Sequence, residues 1–233
     1  PALDGQTRTW GAPLDANGIY VLEGGTQRSK PFAFVENNLR NFYENGLELT
    51  NNISISMGNK FTSLVASFNN VTSDGIVPTD VDKYKRNTFS LRGDANFKKF
   101  HANFSLNYVR KDIRNVRDGQ GGATGATMFQ DIVQTPVDVN YLDLKDYNNP
   151  YNNIDNFYTG YAQNPYWIIA NNQSTYQDDR VFGKVELSYD IIKGLKAIGR
   201  LGSDFTNSRI KGWAAQLSQT PGGWALEFGS KSI

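Results

Sequence analysis

The side chains that most often carry catalysis or hold metals are sparse in this chain. His101 is the only histidine and cysteine is absent, which removes thiolate zinc sites, cysteine nucleophiles and disulfide frameworks together. Because His101 sits at a predicted turn, we expect a solvated residue there, with neither a catalytic triad nor a histidine metal cluster.

The acidic residues and glycines offer no better catalytic pattern. Asp178 with Asp179, and Asp143 with Asp146, have the residue type of a glycosidase pair, but neighbouring acids on a loop are more often solvated charges. The glycines between residues 119 and 125 do not follow a strand and open a helix, so they predict no phosphate-binding loop. No EF-hand spacing occurs, and calcium binding by loop acids stays open. We predict that the protein is not an enzyme, needs no cofactor and has no assigned metal ligands.

Composition narrows the partners and the membrane topology. Lys and Arg number 24 against 23 Asp and Glu, so no basic excess exists to attract nucleic acid. No run approaches the roughly 20 apolar residues of a membrane helix, so a chain like this that spans a membrane must use a closed barrel. Pro1 is followed by neither a basic start nor an apolar signal segment, and we expect a fragment of a larger protein.

Alternating apolar and polar residues predict six antiparallel β-strands in three hairpins. Their ranges are residues 47–57, 61–70, 88–97, 102–111, 181–189 and 195–205. Short turns and long polar loops alternate between them. The turns are residues 58–60, 98–100 and 190–194, and the loops are residues 71–86 and 112–178. This alternation is typical of outer-membrane barrels.

Each predicted strand has one apolar face and one polar face. The apolar set is Ile53, Ile55, Leu64, Phe89, Leu91, Phe104, Leu106, Val185 and Leu187. The polar set includes Arg92, Asp94, Asn103, Lys184, Glu186 and Arg200. Charged polar faces are expected of a water-filled lumen, and equally of a solvated sheet in a soluble β-sandwich. Aromatic residues that end the apolar faces, such as Phe97 and Tyr108, suit the interfacial girdles of a membrane barrel.

Eight strings of residues occur in an order and spacing that resemble the SusC/RagA family of TonB-dependent outer-membrane transporters. They are WGAPLD (10–15), NLRNFYENG (38–46), TNNISISMGN (50–59), VASFNNVTSDGIVP (65–78), YKRNTFSLRGDANF (84–97), FSLNYVR (104–110), NPYW (164–167) and GRLGSDF (199–205). The resemblance covers nearly the whole chain and is strongest from residue 38 to 110. It includes no match to the family's plug domain, TonB box or final barrel strand.

The resemblance implies an all-β fold, in which about six strands belong to a larger plugged transmembrane barrel of about 22 strands in the outer membrane. Residues 1–46 are then an extracellular loop region, residues 47–205 carry the strands with a long extracellular loop at 112–178, and residues 206–233 start the next extracellular loop. The polar set faces the lumen and the apolar set faces outer-membrane lipid.

The resemblance also implies partners and a cargo. The remainder of the barrel completes the wall, a SusD-like surface lipoprotein covers it, and the TonB complex acts through the N-terminal part that the match does not include. The cargo is a bulky nutrient, either an oligosaccharide or a peptide. The alternative function is a soluble β-sandwich module that binds glycans at the cell surface.

The aromatic stretch at residues 141–167 is the candidate for ligand contact, because aromatic faces stack on sugar rings and on peptide side chains. The candidates for substrate or lid contact are Tyr147, Tyr151, Tyr158, Tyr161, Tyr166 and Trp167. In the alternative interpretation, these rings pack the loop against itself or against the lid.

Overall fold

The computed structural model describes residues 19–21, 27–29, 33–116, 128–148, 164–215 and 230–232. Over these ranges, none of the helices is both long enough and apolar enough to cross a membrane.

An antiparallel sheet dominates the fold. A small pair formed by β1 (Ile19–Val21) and β2 (Gln27–Ser29) precedes it. The main sheet comprises β3 (Leu47–Gly58), β4 (Thr62–Asp74), β5 (Lys83–Phe97), β6 (Phe100–Val116), β7 (Gln173–Ile192), β8 (Leu195–Ala214) and the short β9 (Ser230–Ser232). Each strand pairs with the next in sequence. The predicted all-β fold with six consecutive antiparallel strands is thus confirmed.

Short helices occupy the connections. They are α1 (Asn38–Phe42), α2 (Met128–Gln134), a 3-10 helix (Tyr141–Lys145) and α3 (Pro165–Asn171). All but α1 lie between β6 and β7, where the sequence predicts an irregular loop. That prediction is corrected, because this connection contains ordered helical turns within its described residues.

The three predicted short turns join the hairpins. At the first, the Asn59 side-chain oxygen accepts hydrogen bonds from the backbone N–H groups of Phe61, at 2.8 Å, and Thr62, at 3.1 Å. The other two use left-handed backbone, with φ of 55° at Lys98 and 89° at Gly194. Gly194 adopts this conformation without the steric cost that a side chain brings.

Five strands extend further toward the long connections than the alternation predicts. β4 ends at Asp74 rather than 70, β5 begins at Lys83 rather than 88, β6 ends at Val116 rather than 111, β7 begins at Gln173 rather than 181, and β8 ends at Ala214 rather than 205. In these extensions both faces are largely polar, so no alternation marks them. Cross-strand polar pairs continue the ladder, as where the Ser174 hydroxyl donates to Asn115 Oδ1 at 2.7 Å.

One face of the sheet carries an apolar band. A row of aromatic side chains lies along each of its two edges. In β5, β6 and β7 the band covers residues 89–97, 100–108 and 181–189, nine positions in each strand. The lower aromatic row, nearest the short turns, is Phe97, Phe100 and Tyr189, which are cross-strand partners. The upper aromatic row is Phe68, Phe89, Tyr108 and Phe205, with Val181 between the last two. The nine predicted apolar residues all share this face by register.

The apolar band is exposed rather than buried. The exposed fraction is 67% for Ile53, 46% for Val185 and 77% for Leu201. Exposed apolar area on this scale is characteristic of a surface that contacts another phase or another molecule.

Two glycines allow close packing within the band. The ring of Phe104 lies over Gly93, where an added Cβ would come within 2.4 Å of a ring carbon. At Gly183 an added Cβ would lie 2.3 Å from the backbone carbonyl oxygen of Ser105. The backbone of β6 therefore approaches β7 where a side chain cannot fit.

The hydrophobic core lies at the long-loop end of the sheet, and we call it the loop core. It consists of Phe42, Val81, Val116, Ile132, Val139, Tyr141, Leu144, Tyr166, Ile168 and Ile169. Asn38 joins its parts, because Nδ2 donates to Val139 O at 2.6 Å and Oδ1 accepts from Tyr141 N at 2.8 Å. The helical connections therefore form one packed unit above the sheet ends.

Candidate functional site

The polar face of the sheet brings the six predicted lumen residues together. Asp94, Asn103, Glu186 and Arg200 form one cross-strand row, and Arg92 and Lys184 lie in the next row on either side of Ser105. A depression of about 450 Å³ opens here, with Arg92, Asp94, Asn103 and Lys184 in its lining. Residues from four separate strands therefore line one polar surface.

Some of these charges are paired and others are not. Arg200 Nε donates to Glu186 Oε2 at 2.5 Å, and the Ser63 hydroxyl donates to Asp94. Arg92 and Lys184 form no ion pair within the described ranges. The site therefore offers two cations without an ion pair beside the hydrogen-bonded carboxylates of Asp94 and Glu186, which suits hydrogen bonding to a polar solute.

Further ion pairs follow the polar face toward the long loops. The Arg180 guanidinium pairs with Asp204, and Lys111 Nζ lies 3.4 Å from Asp178 Oδ2. The sequence prediction did not assign Arg180 and Asp178 to this face because β7 was expected to begin at residue 181 rather than at Gln173. Alternate residues of a strand share a face, so counting back by twos from Lys184 places Arg180 and Asp178 on the polar face. The sequence alone could therefore have identified these two residues.

The acidic pair at Asp178 and Asp179 is separated by the strand. Asp178 lies on the polar face, whereas Asp179 lies on the opposite face and accepts a hydrogen bond from the Tyr108 hydroxyl at 2.5 Å. Successive strand residues point to opposite sides of a sheet. The two carboxylates therefore cannot flank one substrate.

His101 belongs to β6 and not to a turn, which corrects its predicted position. Its Nδ1 lies 2.7 Å from Asn96 Oδ1 and its Nε2 lies 2.9 Å from Asp190 Oδ2. Lys196 Nζ is 3.5 Å from the other oxygen of Asp190. This network braces the short-turn end of the polar face. Elsewhere too, no group of three or more metal-ligating side chains forms within the described part of the chain.

The loop aromatics fall into three classes. Tyr166 is only 2% exposed, and its ring centroid lies 5.0 Å from that of Phe42. Tyr147 and Trp167 are half-buried at the edge of the loop core. Tyr151, Tyr158 and Tyr161 lie outside the described residues. Tyr166 therefore packs inside the protein, as in the alternative interpretation of the loop aromatics, and is not open to a ligand.

Asn164 positions this part of the loop. Its side-chain oxygen caps α3 by accepting from Tyr166 N at 2.9 Å, and its Nδ2 donates to Leu144 O at 2.8 Å. Pro165 occupies the first turn of α3, where its missing N–H is not needed. Burial, with a smaller contribution from Glu44, raises the pKa of the Tyr166 phenol to about 12.

A scan against models of known protein families found no match, and a search of curated proteins found no similar sequence. Function is therefore inferred from the two faces of the sheet, the loop core and the resemblance in the sequence.

Proposed function

We propose that this chain forms part of the wall of an outer-membrane importer of the SusC/RagA type. The six long strands join the remainder of a barrel of about 22 strands. The importer takes up oligosaccharides or peptides, is covered by a SusD-like lipoprotein and is powered through the TonB complex. It acts by passage of the cargo through a lumen and not by catalysis.

The apolar band carries this proposal. Its nine positions in β5, β6 and β7 match the 9 to 11 residues of a tilted strand that crosses a bilayer. The aromatic rows at both limits match the girdles found at the two interfaces of membrane barrels. Between these rows the side chains of β5, β6 and β7 are aliphatic or aromatic, as contact with lipid tails requires, and Ser203 of β8 is a polar exception.

The polar face supports the same function from the other side of the sheet. Charges such as Glu186 and Arg200 pair across strands there, while Arg92 and Lys184 remain available to a polar cargo or to a plug. A water-filled lumen solvates these groups, whereas lipid does not.

The position of the loop core supports an extracellular role for the long connection. Short turns lie at one end of the sheet and long connections at the other, and in such barrels the long ones are extracellular. The loop core holds Tyr147 and Trp167 at its edge, where their faces are partly open for contact with cargo or lid. Tyr166 supports that surface from inside.

The alternative of a glycan-binding β-sandwich fits the band less well. A sandwich buries the apolar face beneath a second sheet. Ile53, Val185 and Leu201 are instead exposed in the part of the chain that the structure describes.

A lysine placed on each face tests the proposal. In the full-length protein folded in lipid, Val185→Lys at the middle of the band should lower the free energy of unfolding by about 2 to 4 kcal/mol. Asn103→Lys, the matched change on the polar face between Asp94 and Glu186, should cost less than about 1 kcal/mol. Denaturant titration measures both. Equal costs for the two variants contradict a lipid-facing band.

A further inference from the structure

Beyond the upper aromatic row, the outward face changes from apolar to basic. We call this zone the outer collar: it comprises the residues of β3 to β8 on the apolar-band face between the upper aromatic row and the long loops. Its basic members are Lys83, Lys85, Arg110, Arg114, Arg209 and Lys211, and its acidic members are Asp74, Asp112 and Asp179. Six cations against three acids leave a positive surface next to the band.

The acids neutralise only part of the outer collar. Arg110 Nε donates to Asp112 at 3.2 Å and its guanidinium lies 3.8 Å from Asp179, so one arginine engages two of the three carboxylates. Lys83 Nζ lies 3.9 Å from Asp80 Oδ2 in the adjoining loop, whereas Lys85, Arg209 and Lys211 form no ion pair among the residues that the structure describes. The excess positive charge is therefore free to attract an anion.

The outer collar contains a cleft of about 370 Å³ across β4 to β7. Lys83, Lys85 and Arg114 line it, with Thr72 on the β4 side and Thr175 on the β7 side of these cations. Ammonium, guanidinium and hydroxyl groups are the donors that bind phosphate oxygens.

One arginine of the cleft is held in place by a neighbouring side chain, and one of the two carboxylates in the cleft is already paired. Arg114 is held by Gln173, whose Oε1 accepts from Nε at 2.9 Å and from a terminal nitrogen at 2.6 Å. Asp74 and Asp112 also line the cleft, and Asp112 is already occupied by Arg110. Desolvation, together with Asp80, raises the pKa of the Asp74 carboxyl.

We propose that this cleft binds the phosphate of a lipid headgroup in the outer leaflet. The inference rests on the proposed function, because it requires the apolar band to lie in a bilayer. Lys85 is four residues beyond Phe89, which is about 13 Å along the strand and roughly 9 Å along the membrane normal at a tilt near 45°. This is the headgroup level, and lysine stems reach further toward it by snorkelling.

A lipid fits the site better than a soluble phosphate does. The upper aromatic row lies directly below the outer collar, so a bound headgroup places its acyl chains against Phe89, Tyr108 and Val181. A single lipid molecule then places its phosphate in the basic cleft and covers exposed apolar surface with its acyl chains. Free phosphate satisfies only the first.

Paired charge removals test the site in the full-length protein purified in detergent. Binding of lipid A that carries phosphate is compared with binding of the same lipid after enzymatic dephosphorylation, and inorganic phosphate is added as a competitor. The double variant Lys83→Gln with Lys85→Gln should weaken binding about thirtyfold, since each basic residue contributes about 1 kcal/mol near an anionic surface. Lys60→Gln with Lys98→Gln removes the same charge from the short-turn end of the sheet and should change binding less than about threefold.

The outcomes separate this site from the proposed function. Loss of binding on dephosphorylation and in the Lys83/Lys85 variant, with little competition by inorganic phosphate, supports a headgroup site. Equal affinity for the dephosphorylated lipid, or equal weakening in both double variants, overturns it. Strong competition by inorganic phosphate also overturns it, in favour of a soluble anion. If Val185→Lys and Asn103→Lys still differ as expected, only the headgroup site fails and the wall assignment stands.

Discussion

Gly183, in the middle of β7, has no space for a side chain because the Ser105 carbonyl oxygen lies 2.3 Å from where its Cβ would be. Gly183→Ala should therefore lower the free energy of unfolding by about 1 to 3 kcal/mol, the usual cost of overpacking. Gly199, on the same face of β8, has nothing within 4 Å of the corresponding position. Gly199→Ala should be neutral or slightly stabilising. Denaturant titration of both variants measures the difference, and similar losses are evidence against the close approach.

Tyr166 and Tyr141 offer a matched pair inside the loop core. The Tyr141 hydroxyl donates to Ile132 O at 2.8 Å, whereas the buried Tyr166 hydroxyl has no hydrogen-bond partner among the described residues. At neutral pH, Tyr141→Phe should cost about 1 kcal/mol and Tyr166→Phe should be close to neutral. Equal costs would show that Tyr166 has a partner after all.

The same pair predicts a pH dependence. Because the folded-state pKa of Tyr166 is raised to about 12, its contribution to stability is complete below the unfolded pKa of about 10 and is lost as the pH rises toward 12. Burial raises the pKa of Tyr141 in the same direction. Tyr166→Phe should therefore reduce the loss of stability between pH 10 and 12. Unfolding measured across that range, with phenolate absorbance followed in parallel, checks the sign.

Residue parity predicted the faces correctly, but composition did not predict the environment of a loop aromatic. Arg92 and Lys184 follow from alternation alone, because each strand position fixes the side of the sheet. Tyr166 has the same residue type as a ligand-stacking ring, yet it packs against Phe42. The contact between Tyr166 and Phe42, which are more than a hundred positions apart in the sequence, decides whether the ring is a packing residue or a ligand-stacking residue.

At the level of elements, strand existence was predictable and strand ends were not. Alternation within the apolar band marks β3 to β8 clearly, but it disappears in the polar extensions, where pairs such as Ser174 with Asn115 continue the ladder. Helix α3 carried a usable signal, since Asn164 followed by Pro165 is a helix start by capping preference. Helix α1 carried none, because its N-cap residue Asn37 makes no side-chain capping bond.

At the scale of the whole molecule, the pairing of β6 with β7 continues along both strands up to the long connection between them. Strands β6 and β7 stay in register from Phe100 with Tyr189 to Val116 with Gln173. Under the proposed function, deleting residues 141–167 from the full-length protein should therefore leave the barrel assembled but abolish growth on the imported nutrient, because the surface proposed for capture is lost. Growth assays and outer-membrane levels measure the two effects.

A second variant separates capture from loop order. Replacing Tyr151, Tyr158 and Tyr161 with alanine leaves the residues of the loop core in place and should reduce growth if these rings contact cargo. Undiminished uptake by the deletion variant, with an intact lid complex, would contradict the role of the loop.

The register of β6 and β7 also bears on how such a chain acquires new cargo. Residues 117–172 connect these strands, whereas residues 75–82 suffice between β4 and β5. For a flexible chain, closing the longer connection costs only about 2 kcal/mol more, since closure entropy grows with the logarithm of length. Under the proposed function, a connection of another length or sequence can therefore be inherited as a module in this position, while β6 and β7 keep the same pairing.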